Sequence, residues 1–351
     1  GERVLPGLHD VHQHTLEAYL PIITCLLDPT QTDAEAYIKT VAACEEAEDT
    51  GWILGHGHRI DTVIATDRAP RLILDDAGHK GPIAIMEATS HSTWVNSKAL
   101  ELLKITDQTP DPPGGVIVRD ANGKATGLLI DAAGEWPWDM ALKPTPQLEK
   151  INAKALLNGL ERNNQWGITS AVDARTYWQR GHLDAYHLVN QQGYLTVRMA
   201  LSLWASPLAD DDEQLKKLKE RYADGGGMLR LSMVKLYVDG LLGNTTAAML
   251  KPYKAQTLTD AKTGLNYFNS KRLRRYFKEL TAVGYRIHAH AIGNRAVREA
   301  LDAVEATGTD NKGHRLTHVE VVDPADIPRF AKLGVHADMQ LSHHVHDTQL
   351  K

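Results

Sequence analysis

From about residue 145 onward the chain alternates helix-period and strand-period segments, and no other feature constrains its fold as strongly. Thr145 and Pro146 read as an N-cap and first helical residue, followed by Leu148, Ile151, Leu156 and Leu160 at helical spacing, with Gly167 closing the helix. Strand-like segments fall at 168–172, 195–201, 229–238, 285–289, 316–321 and 335–341. Helical patterns lie between them, carrying Leu215 and Leu218, Leu273 and Phe277, Val297 and Leu301, and Ile327 with Phe330. Strands alternating with helices predict parallel βαβ units, because each crossover helix returns the chain to the same end of the sheet. With an opening strand near 4–11 the count is seven, one short of a closed eight-stranded barrel.

Residues 15–144 do not follow that rhythm. They carry a capping box at Thr32-Asp33-Ala34-Glu35, a short strand at 82–86 and a turn-rich stretch at 110–115. The expected organisation is barrel strand one in 1–14, an insertion of helices and short strands in 15–144, and strands two to seven in 145–351. At 351 residues, 42% hydrophobic and 24% charged, the chain can bury a sizeable core, which excludes a disordered or collagen-like protein. Thirty-nine basic against 44 acidic residues give a net charge of -5, so no nucleic-acid partner is expected. No apolar run approaches the roughly 20 residues that span a bilayer, so no membrane insertion is expected either. The opening GERVLPGLHD lacks a signal-peptide profile, and since a leader would precede residue 1, a cytoplasmic and a periplasmic location both stay open. Cys25 and Cys44 are too few for a disulfide scaffold and read as small buried hydrophobes rather than a bridge.

The chain has 17 His, and at that frequency about one His-x-His pair is expected by chance. There are four such pairs: His12/His14, His56/His58, His288/His290 and His344/His346. In a strand, residues i and i+2 share a face, so a pair can aim two imidazoles at one metal ion. Two of the pairs end predicted barrel strands, where barrel enzymes build their chemistry. His9 reads as structural. Lys235 stands in the middle of the apolar run 232–238, where a bare ammonium is costly. It reads either as a lysine paired with a nearby carboxylate or as an amine that has taken up carbon dioxide to give a metal-bridging carbamate. His318, on the next strand but one, reads alone as a core histidine or a ligand. Together, ligand-type residues end strands one, four, five and six, and a barrel brings those ends to one mouth.

These segments resemble the amidohydrolase superfamily, in particular its YtcJ-like amidohydrolase family 3 branch, which includes N-substituted formamide deformylases and exoenzyme regulatory proteins. The resemblance rests on Leu5-Pro6-Gly7-Leu8-His9-Asp10-Val11-His12-Gln13-His14, on Lys235 with Asp239-Gly240-Leu241-Leu242-Gly243-Asn244, on His290-Ala291-Ile292-Gly293-Asn294, and on Arg315-Leu316-Thr317-His318. Asn294 and Thr317 stand where the family usually has Asp and Glu. Within the insertion, 52–57, 90–100 and 114–120 are similar to segments of the branch rather than of the wider superfamily.

The resemblance implies an α/β TIM-type barrel and hydrolysis of a C–N bond in a small-molecule substrate. It implies one or two Zn²⁺, with His12 and His14 on one metal, a carboxylated Lys235 bridging, and His290 and His318 on the second. His91, Trp94, Asp239 and His343 would line the substrate pocket, whereas His56, His58, His288, His344 and His346 receive no role. The family's strand-eight aspartate, its proton shuttle, has no counterpart here, since Asp347 comes too early, and the catalytic base is therefore unassigned. Its small β-sandwich domain is expected to be absent or incomplete. A non-catalytic binding or regulatory protein on the same barrel, or a hydrolase with one metal and an unmodified Lys235, are the alternatives. A homo-oligomer is compatible with the sequence.

Overall fold

The computed structural model describes residues 3–254, 257–308 and 313–340. After β1 (Leu8–Gln13) come six strands that form a sheet of their own: β2 (Cys25–Leu26), β3 (Ile53–His58), β4 (Ile83–Glu87), β5 (Ser92–Val95), β6 (Gly115–Arg119) and β7 (Ala125–Asp131). The chain then returns to the first sheet with β8 (Ile168–Thr176), β9 (Arg198–Trp204), β10 (Leu229–Tyr237), β11 (Arg286–Ala291), β12 (Arg315–His318) and β13 (His336–Asp338). That sheet has the order β1-β8-β9-β10-β11-β12-β13, and every neighbouring pair is parallel. It is a nearly closed barrel of seven strands with helices packed outside, as the alternating periods predict.

The local causes are those of the sequence. The Thr145 hydroxyl accepts from the Leu148 N–H at 3.1 Å and Pro146 begins the helix Pro146–Gln165. That helix buries Leu148, Ile151, Leu156 and Leu160 on one face. The capping box behaves differently: Asp33, not Thr32, is the cap, accepting from the Glu35 N–H at 3.0 Å, and the turn it caps is a short 3-10 helix. The strand expected at 316–321 ends at His318, because His318 and Val319 both adopt positive φ, 74° and 50°.

The second sheet, in the order β2-β3-β4-β5-β7-β6, mixes parallel and antiparallel pairs. It encloses a separate apolar cluster that includes Cys25, Ile53, Ile85 and Trp94. Here one expectation is corrected. Cys25 and Cys44 form a disulfide, with Cα atoms 5.3 Å apart across a sequence separation of 19 residues. Cys25 is fully buried, as a small hydrophobe would be, but Cys44 returns beside it from the end of the helix Tyr37–Ala42, a proximity that cysteine counting cannot reveal. Among the described residues no helix is long and apolar enough to cross a membrane.

Candidate metal centre

The strand register sets the site. Lys235 is level with His288 and Tyr237 with His290; His290 is level with Thr317, and Thr317 with Asp338. Residues level on neighbouring parallel strands share a face, so these side chains converge. Lys235, 1% exposed, donates from Nζ to Thr317 Oγ1 at 3.3 Å. His318 has the opposite parity, and the positive φ at the strand end turns its ring to 4.6 Å from His290 and 5.3 Å from His12.

From the other edge of the sheet, Asp10 Oδ1 accepts the His12 backbone N–H at 2.9 Å, and His12 places Nδ1 3.4 Å from Asp338 Oδ2. The His12 ring lies 5.1 Å from His288 and 5.7 Å from His14. His288 Nε2 is 3.6 Å from the same Asp338 oxygen. Among the described residues, ligand atoms of His12, His288 and Asp338 lie within 4.8 Å of one another.

Burial, reinforced by Lys235, lowers the His12 pKa to about 4. Burial likewise holds His14, His288, His290 and His318 well below the ordinary imidazole value. All five are therefore neutral at pH 7 and have a lone pair to offer a cation. Burial and the Arg175 guanidinium bring Lys235 down to about 7, with Asp338 opposing. Burial alone would raise Asp338, but His12 and His288 more than reverse it, so its carboxylate sits well below the usual range. His290 Nδ1 is buried without a hydrogen-bond partner, and His14 Nδ1 and His288 Nε2 reach only carboxylate oxygens beyond hydrogen-bond distance, Glu17 Oε2 at 3.7 Å and Asp338 Oδ2 at 3.6 Å. Orphaned buried nitrogens are costly, and a divalent cation with a preference for imidazole and carboxylate ligands fits them.

The intervening sheet contributes His91. Its Nδ1 is 2.9 Å from Asp131 Oδ1, its ring stacks on Tyr237 at 5.5 Å, and His290 lies 5.1 Å away. Asp239, just past β10, accepts backbone N–H groups from Ala248 and Gly293 at 2.8 Å and from Ile292 at 3.0 Å. Burial pushes its carboxyl up to about 8 against those donors. It thus ties the loops after β10 and β11 together behind His290, whose Nε2 is 3.8 Å from Asp239 Oδ1. Trp94 is fully buried in the second sheet's core, with its ring against Tyr37 and His58 rather than against the histidines of the barrel mouth. His58 is buried with Nε2 3.2 Å from Ser92 Oγ, and His9 Nδ1 pairs with Ser170 Oγ. His343, His344, His346 and Asp347 lie outside the described residues.

Asp338 and His288 join the cluster although the motifs gave neither a role. His288 sits among apolar residues within β11 and level with Lys235, whereas Asp338 ends the short β13 and joins the site only through its register with Thr317.

Residues 1–350 match the family described as Amidohydrolase family. YtcJ of Bacillus subtilis (strain 168), named as an amidohydrolase, is 30% identical over 349 residues, covering 97% of this chain and 63% of that protein. The N-substituted formamide deformylase of Arthrobacter pascens is 24% identical over 353 residues, covering 95% of this chain and 62% of the deformylase. The crystal structure of an uncharacterized metal-dependent hydrolase from Pyrococcus horikoshii OT3 superposes with a TM-score of 0.69 at 23% identity, over 96% of this chain and 63% of that one, a likeness of fold. The chain thus spans about three fifths of the length of the curated relatives it matches. With residues 1–350 matching the family's model, the chain belongs to the amidohydrolase family.

Proposed function

We propose that the protein hydrolyses a C–N bond of an amide-like small molecule with the help of one or two zinc ions. The observation that carries this reading is the convergence of ligand atoms of His12, His288 and Asp338 within 4.8 Å, beside buried nitrogens of His14 and His290 that make no hydrogen bond. Zinc held there would lower the pKa of a water molecule toward neutrality and polarise the substrate carbonyl. His12, His14, His290 and His318 are the imidazoles available to hold it, with His288 and Asp338 added by the fold.

A lysine brought to about 7 has an appreciable neutral fraction at physiological pH, which uptake of carbon dioxide by Lys235 Nζ requires. Asp338, kept ionised beside His12 and His288, is placed either to hold the cation or to take a proton from water. Asp131 holds the His91 ring through Nδ1, with the ring 5.1 Å from that of His290.

The test is to incubate the zinc-loaded protein with formamides, N-acyl amino acids and cyclic amides, and to assay for released amine or acid. Metal content per chain and the intact mass of Lys235-containing peptides distinguish one metal from a carbamate-bridged pair. Release of no amine or acid from any member of the panel refutes the assignment.

A further inference from the structure

Beside the histidine cluster, a cavity of about 440 Å³ opens between the barrel mouth and the second sheet, with His14 in its wall. Leu20, Ile23, Leu26, Met86, Trp138 and Leu142 supply the large apolar side chains of that wall, beside His56, His182, Ser90 and the charged Glu17, Arg175 and Arg180. The charged groups there are already paired. Arg175 donates to Glu17 Oε1 at 2.9 Å and to the Tyr237 hydroxyl at 2.7 Å. Arg180 donates to Asp139 at 2.9 Å and also to Glu135. The polar edge of Trp138 is turned away, its indole N–H donating to Thr93 Oγ1 at 3.1 Å. Leu20, Trp138 and Leu142 are buried, while Leu26, 65% exposed, stands at the rim.

We infer that this chamber is the specificity pocket of the site and receives an uncharged, apolar substituent of the substrate, of benzyl or short-alkyl size, while the scissile bond lies at the histidines. The inference rests on the hydrolase reading above and narrows it to a class of substrate. A charged substituent entering the chamber would lose its hydration and meet guanidiniums and carboxylates that have already neutralised one another. An apolar substituent exchanges water for leucine, methionine and indole surface. The volume lies toward the small end of ligand pockets, which suits one ring or a short chain rather than a long acyl tail. Because the walls come from the segment after β1, from β4 and from the helix Glu135–Ala141 with Leu142 at its end, specificity would be set largely outside the barrel.

Matched amides carrying methyl, butyl, benzyl, carboxymethyl or aminoethyl groups test this on the full chain. The expected kcat/KM rises at least tenfold from methyl to butyl or benzyl, mainly through KM, and falls for the two charged groups, since each fitted methylene is worth roughly tenfold or more. Leu142→Trp, which fills the chamber, and Leu26→Trp, at the exposed rim where folding is not at stake, should penalise benzyl over methyl substrates. Benzyl alcohol binding, read by saturation-transfer NMR, gives an arm independent of turnover. If benzyl alcohol binds the parent and is expelled by Leu142→Trp although no amide is cleaved, the pocket stands and the hydrolase reading falls. Amide cleavage without preference for apolar substituents, or benzyl alcohol binding that is absent or indifferent to both variants, overturns the inference.

Discussion

Replacing Asp239 by alanine tests how the centre is held. The carboxylate serves three buried backbone N–H groups, those of Ala248, Ile292 and Gly293, at 2.8–3.0 Å. Asp239 is fully buried. Leaving a buried donor unsatisfied costs about 1–3 kcal/mol, so three together set a range of about 3–9 kcal/mol, and water entering the vacated space would return part of it. A loss of about 4 kcal/mol is expected for Asp239→Ala. Asp239→Asn is a graded control. With its amide oxygen in the place of Oδ2, which serves both Ala248 and Gly293, only the bond to Ile292 is lost, for about 1–2 kcal/mol. Urea unfolding at pH 9, above the raised carboxyl pKa of about 8, keeps both oxygens of the parent as acceptors. Hydrogen exchange at Ala248, Ile292 and Gly293 should accelerate in the same order. An Asp239→Ala protein within 1 kcal/mol of the parent, or an asparagine variant as damaged as the alanine one, would refute the idea that these bonds clamp the two loops.

His288→Ala and Asp338→Ala should each lower zinc affinity at least tenfold, measured by competition with a chromophoric chelator; unchanged affinity in both would remove them from the centre. Reduction of Cys25–Cys44, which closes a loop with a sequence separation of 19, should cost about 3 kcal/mol in urea unfolding with and without reductant; coincident curves would show that no bridge forms. Burial holds His58 and His182 at about 3, below the ordinary 6.5, so the unfolded chain binds their protons first. Their contribution is therefore complete above pH 6.5 and erodes as pH falls toward 3, by about 1.4 kcal/mol per pH unit for each, and His182→Leu should flatten the slope by that amount. An unchanged slope in that variant would show that His182 is not buried in neutral form.

Much of the barrel was legible because each element carries a local signal. Thr145-Pro146, followed by apolar residues at helical spacing, marks a helix start, and the apolar strands between helices leave few topologies open. The convergence of Lys235 and His290 was legible for the same reason, since strand ends in a barrel must meet. The rest depended on register and long-range proximity, which local pattern does not encode. Asp338 matters only because β13 is aligned so that Thr317 and Asp338 are level, and His288 because it is level with Lys235. The Cys25–Cys44 bridge and the His91–Asp131 pair likewise join residues brought together by the second sheet. Trp94 shows the converse: it lies in a recognisable motif, but β5 directs its ring into the core of that sheet.

The end of β12 joins these two kinds of information. A regular strand over 316–321 would keep Thr317 facing the centre and send His318 the other way, so period-two reasoning alone excludes His318 from the site. The backbone instead enters the left-handed region at His318 and again at Val319, a conformation that costs of order 1–3 kcal/mol per residue and is especially unfavourable for a β-branched side chain. Neighbouring strands hold it there: the Val319 N–H donates to the Ala291 carbonyl at 3.1 Å, the Val321 N–H to Ile292 at 2.9 Å, and the Val319 side chain is buried. Both acceptors lie at the end of β11, directly beside His290 and the Asp239 clamp. The clamp that orders Ile292 therefore also supports the kink that delivers His318. On this geometry, Asp239→Ala should loosen His318 as well as His290, coupling two expected ligands through a residue that need not touch the cation.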